Sequence, residues 1–289
     1  MWRHHEVMLR KLLHKFAGVG LAVLGLPLLL ALPISAQSND IEVDVELVLA
    51  VDVSRSMSPR ELEIQRRGYA EALTSDDVVA AIEGGLIGQI ALRYIEWAGD
   101  GSQRVIVDWS LVGSRSDAER FAAKLVAQFD PTLRRTSISS ALDYSRRSFD
   151  NNGFRASRRV IDISGDGPNN SGGPVLEARQ RALDAGIVIN GLPLMTRDGI
   201  YSRFDLPDLD NYYRECVIGG PASFVIPVIR WDQFPTAVRQ KLVQELAANE
   251  PAETPVKRIA FHQKAEPAYD CLIGEKMWRQ RRLDWGDDL

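Results

Sequence analysis

The chain has 289 residues, 45% of them hydrophobic and 26% charged, the composition of an ordinary globular α/β or mixed protein rather than a disordered or fibrous one. Its formal charge is −4, and without residues 1–36 it keeps 31 basic against 38 acidic residues, a charge of −7. Nucleic acid is excluded as the expected partner, because phosphate binding calls for clustered positive charge.

In chain order, Arg3, Arg10, Lys11 and Lys15 precede an uncharged apolar run, Phe16 to Leu32, and the small residues around Ala36. This is the layout of a signal peptide over 1–36, with cleavage after Ala36. The alternative is an uncleaved anchor over 16–32, the one case in which membrane contact is expected, although Pro27 interrupts the run. Either way the expectation is export, to the periplasm or beyond. Val45 to Val51 is apolar and β-branched, as a strand covered on both faces requires. Ser58, Pro59 and Glu61 then read as N-cap, N1 and N3 of a helix. Ile90 to Trp97 and Arg104 to Trp109 predict two further strands, and Ser116 to Glu119 a second capping box. Ile138 to Phe149 predicts a helix, Val160 to Ser164 a strand, and Pro174 to Ala185 a helix closed by Gly186.

Ile187 to Leu192 and Phe224 to Ile229 complete the predicted strands, and Phe234, Val238, Leu242 and Leu246 mark a last helix. Between them, 197–222 reads as a long loop. Its Asp205, Asp208, Asp210, Tyr212 and Tyr213 offer either a contact surface for a partner or a self-packed segment. Strands alternating with helices imply an α/β protein: a doubly wound, mainly parallel sheet with helices on both faces, occupying 37–250. The tail 251–289 has little periodicity. Export permits a disulfide between Cys216 and Cys271, which would tie that tail to the domain; two separate buried thiols are the alternative.

In such sheets ligands sit at the carboxyl ends of strands, where strand order reverses. The first strand ends in Asp52, Ser54 and Ser56, alternate residues that face one way in extended chain. One carboxylate and two hydroxyls are hard oxygen donors, suited to magnesium. Thr136 precedes the Ile138 helix and Asp166 ends the Val160 strand, so three strand-end loops supply oxygen to one place.

These five residues, in this order, resemble a von Willebrand factor A (VWA) domain with a metal-ion-dependent adhesion site, over about residues 43–248. The segments SGDGPNN at 164–170 and NYYRECVIGGPASFV at 211–225 resemble, more narrowly, an exported bacterial VWA subgroup of unknown function. The resemblance implies a protein-binding module, not an enzyme. Ser54 and Ser56 would ligate Mg²⁺ (or Mn²⁺ or Ca²⁺) directly, Thr136 directly or through water, and Asp52 and Asp166 would orient bound waters. An exposed Asp or Glu of a protein partner would complete the ion's coordination. VWA domains commonly carry glycine before the threonine, where this chain has Arg134 and Arg135, which would repel the ion, attract an acidic partner, or simply be solvated loop arginines. Two alternatives stand beside this reading. One is a metal-free envelope scaffold; the other is a metal-assisted hydrolase using Asp52 and Asp166. The second needs a general base, and His262 is the one histidine beyond residue 36.

Overall fold

The computed structural model describes residues 39–127, 133–196, 206–247 and 269–286. The predicted signal segment and His262 lie outside them. Five strands form one sheet: β1 (Ile41–Asp52), β2 (Ile90–Trp97), β3 (Gln103–Val112), β4 (Phe154–Gly165) and β5 (Ile187–Pro193). Their order is β3-β2-β1-β4-β5, with β1 at the centre. It pairs in parallel with β2 and β4, and β4 with β5. Only β3 runs antiparallel to its neighbour, β2.

Eight α-helices surround the sheet: α1 (Pro59–Leu73), α2 (Asp76–Glu83), α3 (Arg115–Val126), α4 (Ile138–Arg147), α5 (Val175–Asp184), α6 (Leu209–Tyr212), α7 (Phe234–Ala247) and α8 (Ile273–Gly286). Alternation along β1 divides its buried residues between two cores. Leu47, Leu49 and Val51 pack with Leu62 and Tyr69 of α1, Phe121 of α3, and Phe234, Val238 and Leu242 of α7. Val48 and Ala50 pack on the other face with Ile138 and Leu142 of α4, Val175 and Ala178 of α5, and Tyr212, Tyr213 and Cys216. Each such aliphatic side chain contributes about 1.5–3 kcal/mol by leaving water, so the two-sided burial fixes β1, and with it the position of its carboxyl end.

Local chemistry agrees with the sequence at α1: Ser58 Oγ accepts the Glu61 N–H, and the Glu61 carboxylate accepts the Ser58 N–H. At α3 the cap lies two residues earlier than expected. Ser114, the first serine after β3, accepts from Asp117 N–H and donates to its carboxylate, leaving Ser116 inside the helix. Helix α2, capped by Ser75 and burying Val78, Val79 and Ile82, was not anticipated. The expected strand over 224–229 is reduced to two short parallel bridges, Val225 to Gly191 and Val228 to Leu194. Pro193, which has no N–H, stands between them and interrupts the ladder.

Of the two readings left open for 197–222, the described part, 206–222, takes the self-packed one, which overturns the partner-contact role of Tyr212 and Tyr213. Helix α6 passes directly into one π-helical turn, Tyr213–Val217. Leu209, Tyr212, Tyr213, Cys216 and Val217 are buried there. Tyr212 and Tyr213 are 0% exposed, so neither ring is available to a partner. Asp205 lies outside the described residues. The disulfide reading of the two cysteines holds, Cys216 being bonded to Cys271; the tail differs from expectation in forming helix α8 after the bridge.

Candidate functional site

Parallel pairing with β2 and β4 brings the end of β1 level with the ends of both neighbours. The Val53 N–H donates to the Trp97 carbonyl, and Gln65 of α1 donates to the Asp52 carbonyl at 3.1 Å. The loop that follows is therefore held on both sides. The Asp52 carboxylate turns back on this loop, Oδ1 accepting the Ser54 N–H at 2.7 Å. Ser54 Oγ lies 2.9 Å from Ser56 Oγ, and Ser56 Oγ donates to Asp166 Oδ1 at 2.9 Å. Four of the five expected residues thus form one chain of polar contacts running from β1 to the loop after β4.

Thr136 joins through its backbone. Its N–H donates to Asn170 Oδ1 at 3.1 Å, and its carbonyl accepts from the N–H groups of Asn170 and Ser171. This binds the loop before α4 to the loop carrying Asp166. The Thr136 side chain is buried at the same edge, but its hydroxyl makes no hydrogen bond to the other four.

Electrostatically the site is incomplete. Asp52 is 0% exposed, and among the described residues its Oδ2 has no hydrogen-bond partner. Burial first, then the nearby charge of Asp166, holds its carboxyl well above the usual carboxylate range. The phenol of Tyr213 is also buried without a partner, and burial, followed by the charge of Asp52, raises it as well. A Cβ on Gly165 would stand 2.9 Å from the Tyr213 hydroxyl and 3.0 Å from Asp52 Oδ2, so both oxygens crowd the glycine that ends β4. Tyr213, read from the sequence either as a partner contact or as part of a self-packed segment, is buried and faces the site from beneath. Periodicity could have indicated this, because Leu209, Tyr212, Tyr213, Cys216 and Val217 follow an i, i+3, i+4, i+7, i+8 pattern.

Arg134 and Arg135 are exposed. Arg135 has φ of 71°, the left-handed region that favours glycine, and its guanidinium lies 5.3 Å from the Trp278 ring centroid of α8. The sequence departure at this position therefore retains the backbone shape that suits glycine, at a cost of about 1 kcal/mol. Asn169, Asn170, Glu275 and Trp278, all in contact with these loops, were not singled out by sequence. Asn169 donates to Glu275 Oε1 at 2.7 Å and accepts from Ser139 N–H at 3.0 Å.

The donor set fits a hard divalent cation: two carboxylates and nearby hydroxyls, with a buried oxygen that lacks a partner. Among the described residues there is no group of three or more His, Cys, Asp or Glu of the kind that builds zinc or calcium cages. All four histidines lie outside those residues.

A central parallel strand delivering Asp-x-Ser-x-Ser to its carboxyl edge, met there by a threonine loop and an aspartate loop, belongs to the von Willebrand factor A class, and this chain has that fold. Proximal thread matrix protein 1 from the mussel byssus superimposes with a TM-score of 0.52 at 14% identity, over 72% of this chain and 49% of that one. A second structure of the byssus protein, described as having a zinc-occupied MIDAS motif, gives 0.50 at 15% identity over the same shares. The pilus adhesin SpaC from Lactobacillus rhamnosus GG gives 0.52 at 14% identity, over 71% of this chain and 30% of the adhesin. The chain thus spans about half the length of the byssus protein and less of the adhesin. No curated protein matches the sequence. The chain belongs to the family described as "Protein of unknown function (DUF1194)", whose profile matches residues 42–250.

Proposed function

We propose that the chain is an exported protein-binding module that recognises an acidic group of its partner through a divalent cation, Mg²⁺ in the first instance. Asp52, Ser54, Ser56, Thr136 and Asp166 would hold the ion. When bound, it would supply a positive centre able to accept a partner's carboxylate. Ser54 and Ser56 present neutral oxygens, which leave the ion's charge largely uncompensated. Asp52 and Asp166 fix the loop by accepting hydrogen bonds from Ser54 and Ser56. Export is supported by the order of positive, apolar and small residues over 1–36. No helix among the described residues is long and apolar enough to cross a membrane.

One observation carries the reading. Glu96, Asp162 and Glu245 are each 0% exposed, and each meets an arginine or lysine side chain. Asp52 is equally buried and has hydroxyls, amides and a second carboxylate near it, and among the described residues no cationic side chain is hydrogen-bonded to it or stands among the charges that shift it. A buried carboxylate in that setting calls for a proton or an external cation.

Calorimetric titration of Mg²⁺ and Mn²⁺ into the purified chain, beside Asp166→Ala, tests the proposal. Saturable one-site binding that the variant loses is the expected result. A wild-type protein that binds neither ion would leave Asp52 protonated, and would favour the metal-free scaffold. No observation favours the hydrolase alternative.

A further inference from the structure

Helix α8 returns to the edge of the sheet that carries the site. Tyr269, just before it, donates to Asp208 Oδ2 at 3.0 Å, and Cys271 is bonded to Cys216. Gly274 lies so close to the loop after Asp166 that a Cβ would stand 2.1 Å from the Asn169 carbonyl oxygen. Glu275 takes the Asn169 amide, and Trp278 takes the Arg135 guanidinium from the loop before Thr136. One side of α8 is thereby anchored to both loops that bring Asp166 and Thr136 together.

The other side has no such use. Leu272 and Leu283 are 42% and 70% exposed, and Lys276, paired with Asp270 at 2.6 Å, and Arg279 are exposed between them. Their spacings of four, three and four residues place all of them on one stripe, just before and along the helix. Segment 273–286 carries four Lys/Arg against two acids, in a chain whose total charge is −4. Arg55 and Arg134, exposed on the site loops, form no ion pair with a described residue. Basic groups therefore flank two buried or half-buried carboxylates at the one edge where a partner's acid is expected.

We infer that α8 is the second wall of the recognition surface, and that the partner presents an acidic peptide segment with interspersed leucine-like residues. The inference rests on the proposed metal-dependent reading for the first acid. Further acids of the same segment pair with Arg279 and Arg134, and its apolar residues cover Leu272 and Leu283. Guanidinium groups favour carboxylates through paired hydrogen bonds, and the exposed leucines gain from contact with apolar side chains. An anionic membrane fits less well, since two separated leucines offer little apolar area to insert and the chain as a whole is acidic.

The probes are two fluorescein-labelled synthetic peptides, one of Asp, Glu and Leu, the other with a single Asp among Ser and Gly. Anisotropy is read in Mg²⁺ and in EDTA, with phosphatidylglycerol vesicles as a third probe. The Asp/Glu/Leu peptide should bind about tenfold more tightly than the single-Asp peptide, the scale of one good charge contact. The double variant Arg279→Glu/Leu283→Ser should remove that advantage and leave the heat of Mg²⁺ binding unchanged. Equal affinities of wild type and variant, no binding of either peptide, or variant-sensitive binding to the vesicles alone would each overturn the proposal for α8. A variant-sensitive advantage that survives EDTA would uphold α8 while removing the metal from the reading. EDTA-sensitive binding that the variant does not change would do the reverse.

Discussion

Two sets of buried carboxylates lie near one another along β1 and β4 and are treated in opposite ways. Inside the sheet, Asp162 of β4 and Glu245 of α7 share Lys241, whose Nζ is 2.7 Å from Asp162 Oδ1, and all three are 0% exposed. Asn190 adds a hydrogen bond to Glu245 at 2.9 Å. At the carboxyl edge, Asp52 and Asp166 are joined only through serine hydroxyls and backbone amides. The inner set has its cation covalently supplied by the chain, which makes it a fixed element that fastens α7 to the sheet. Asp52 of the outer set has no lysine or arginine against it among the described residues, the setting in which the proposed ion would be exchangeable. A carboxylate's function here is set less by its burial, equal in Asp52 and Asp162, than by whether the chain provides its partner.

Removing the inner cation should have the largest effect. Lys241→Met leaves two buried carboxylates facing each other and should lower unfolding free energy by about 3–5 kcal/mol in denaturant titrations; a change below about 1 kcal/mol would mean that the pair simply takes up protons. At the edge, the sign is reversed. In EDTA at neutral pH, Asp52→Asn should stabilise the protein by about 1–2 kcal/mol, because a buried ionised or proton-demanding group is replaced by a neutral one. The folded Asp52 carboxyl is raised, so its contribution is full below the unfolded carboxylate range and is lost as pH rises through the folded value. The advantage of Asn should therefore vanish near pH 4, and a variant less stable than wild type at every pH would show that the carboxylate itself braces the loop.

The same protonation makes metal binding pH-dependent. The proposed ion would compete with a proton for the raised Asp52 carboxyl, so calorimetric affinity should fall as the solution is acidified, by up to about tenfold per pH unit. A flat profile would place the ion away from Asp52. Asp162, raised to about 7 by burial, with Lys241 opposing and Glu245 adding to the rise, gives the inner set its own signature. Its contribution to stability is present at low pH and lost as pH rises through about 7, whether or not metal is added. The smallest effect is expected from Tyr213→Phe, which should weaken Mg²⁺ at most about tenfold by removing an oxygen beside Asp52 Oδ2, with the unfolding midpoint nearly unchanged. Loss of stability instead would assign the phenol to packing.

The sheet and the edge were legible because their signals are local. The run from Val45 to Val51 reads as a buried strand, and the Ser58–Glu61 box fixes the start of α1 within the sequence itself. Asp52, Ser54 and Ser56 are close in the chain, and alternation alone sets them on one side. Charge pairing inside the sheet was not legible. Asp162 reads as a polar interruption in an apolar strand and Lys241 as a surface lysine on a helix; only the packing of α7 on β4 brings them together. The segment 209–217 reads as loop because Asp210, Arg214 and Glu215 interrupt it, although Leu209, Tyr212, Tyr213, Cys216 and Val217 carry a helical stripe of little more than two turns. Docking of α8 was legible in part: the pair Cys216 and Cys271 offered the tie, whereas the contacts with Asn169 have no spacing rule.

The bridge between Cys216 and Cys271 spans 55 positions, and residues 248–268 fall within that span. A protease cut anywhere in 248–268 would therefore yield a two-chain molecule rather than a truncated one. The severed carboxyl piece would remain covalently attached to the π-helical turn beneath the site, and would separate from the larger piece on a gel only after reduction.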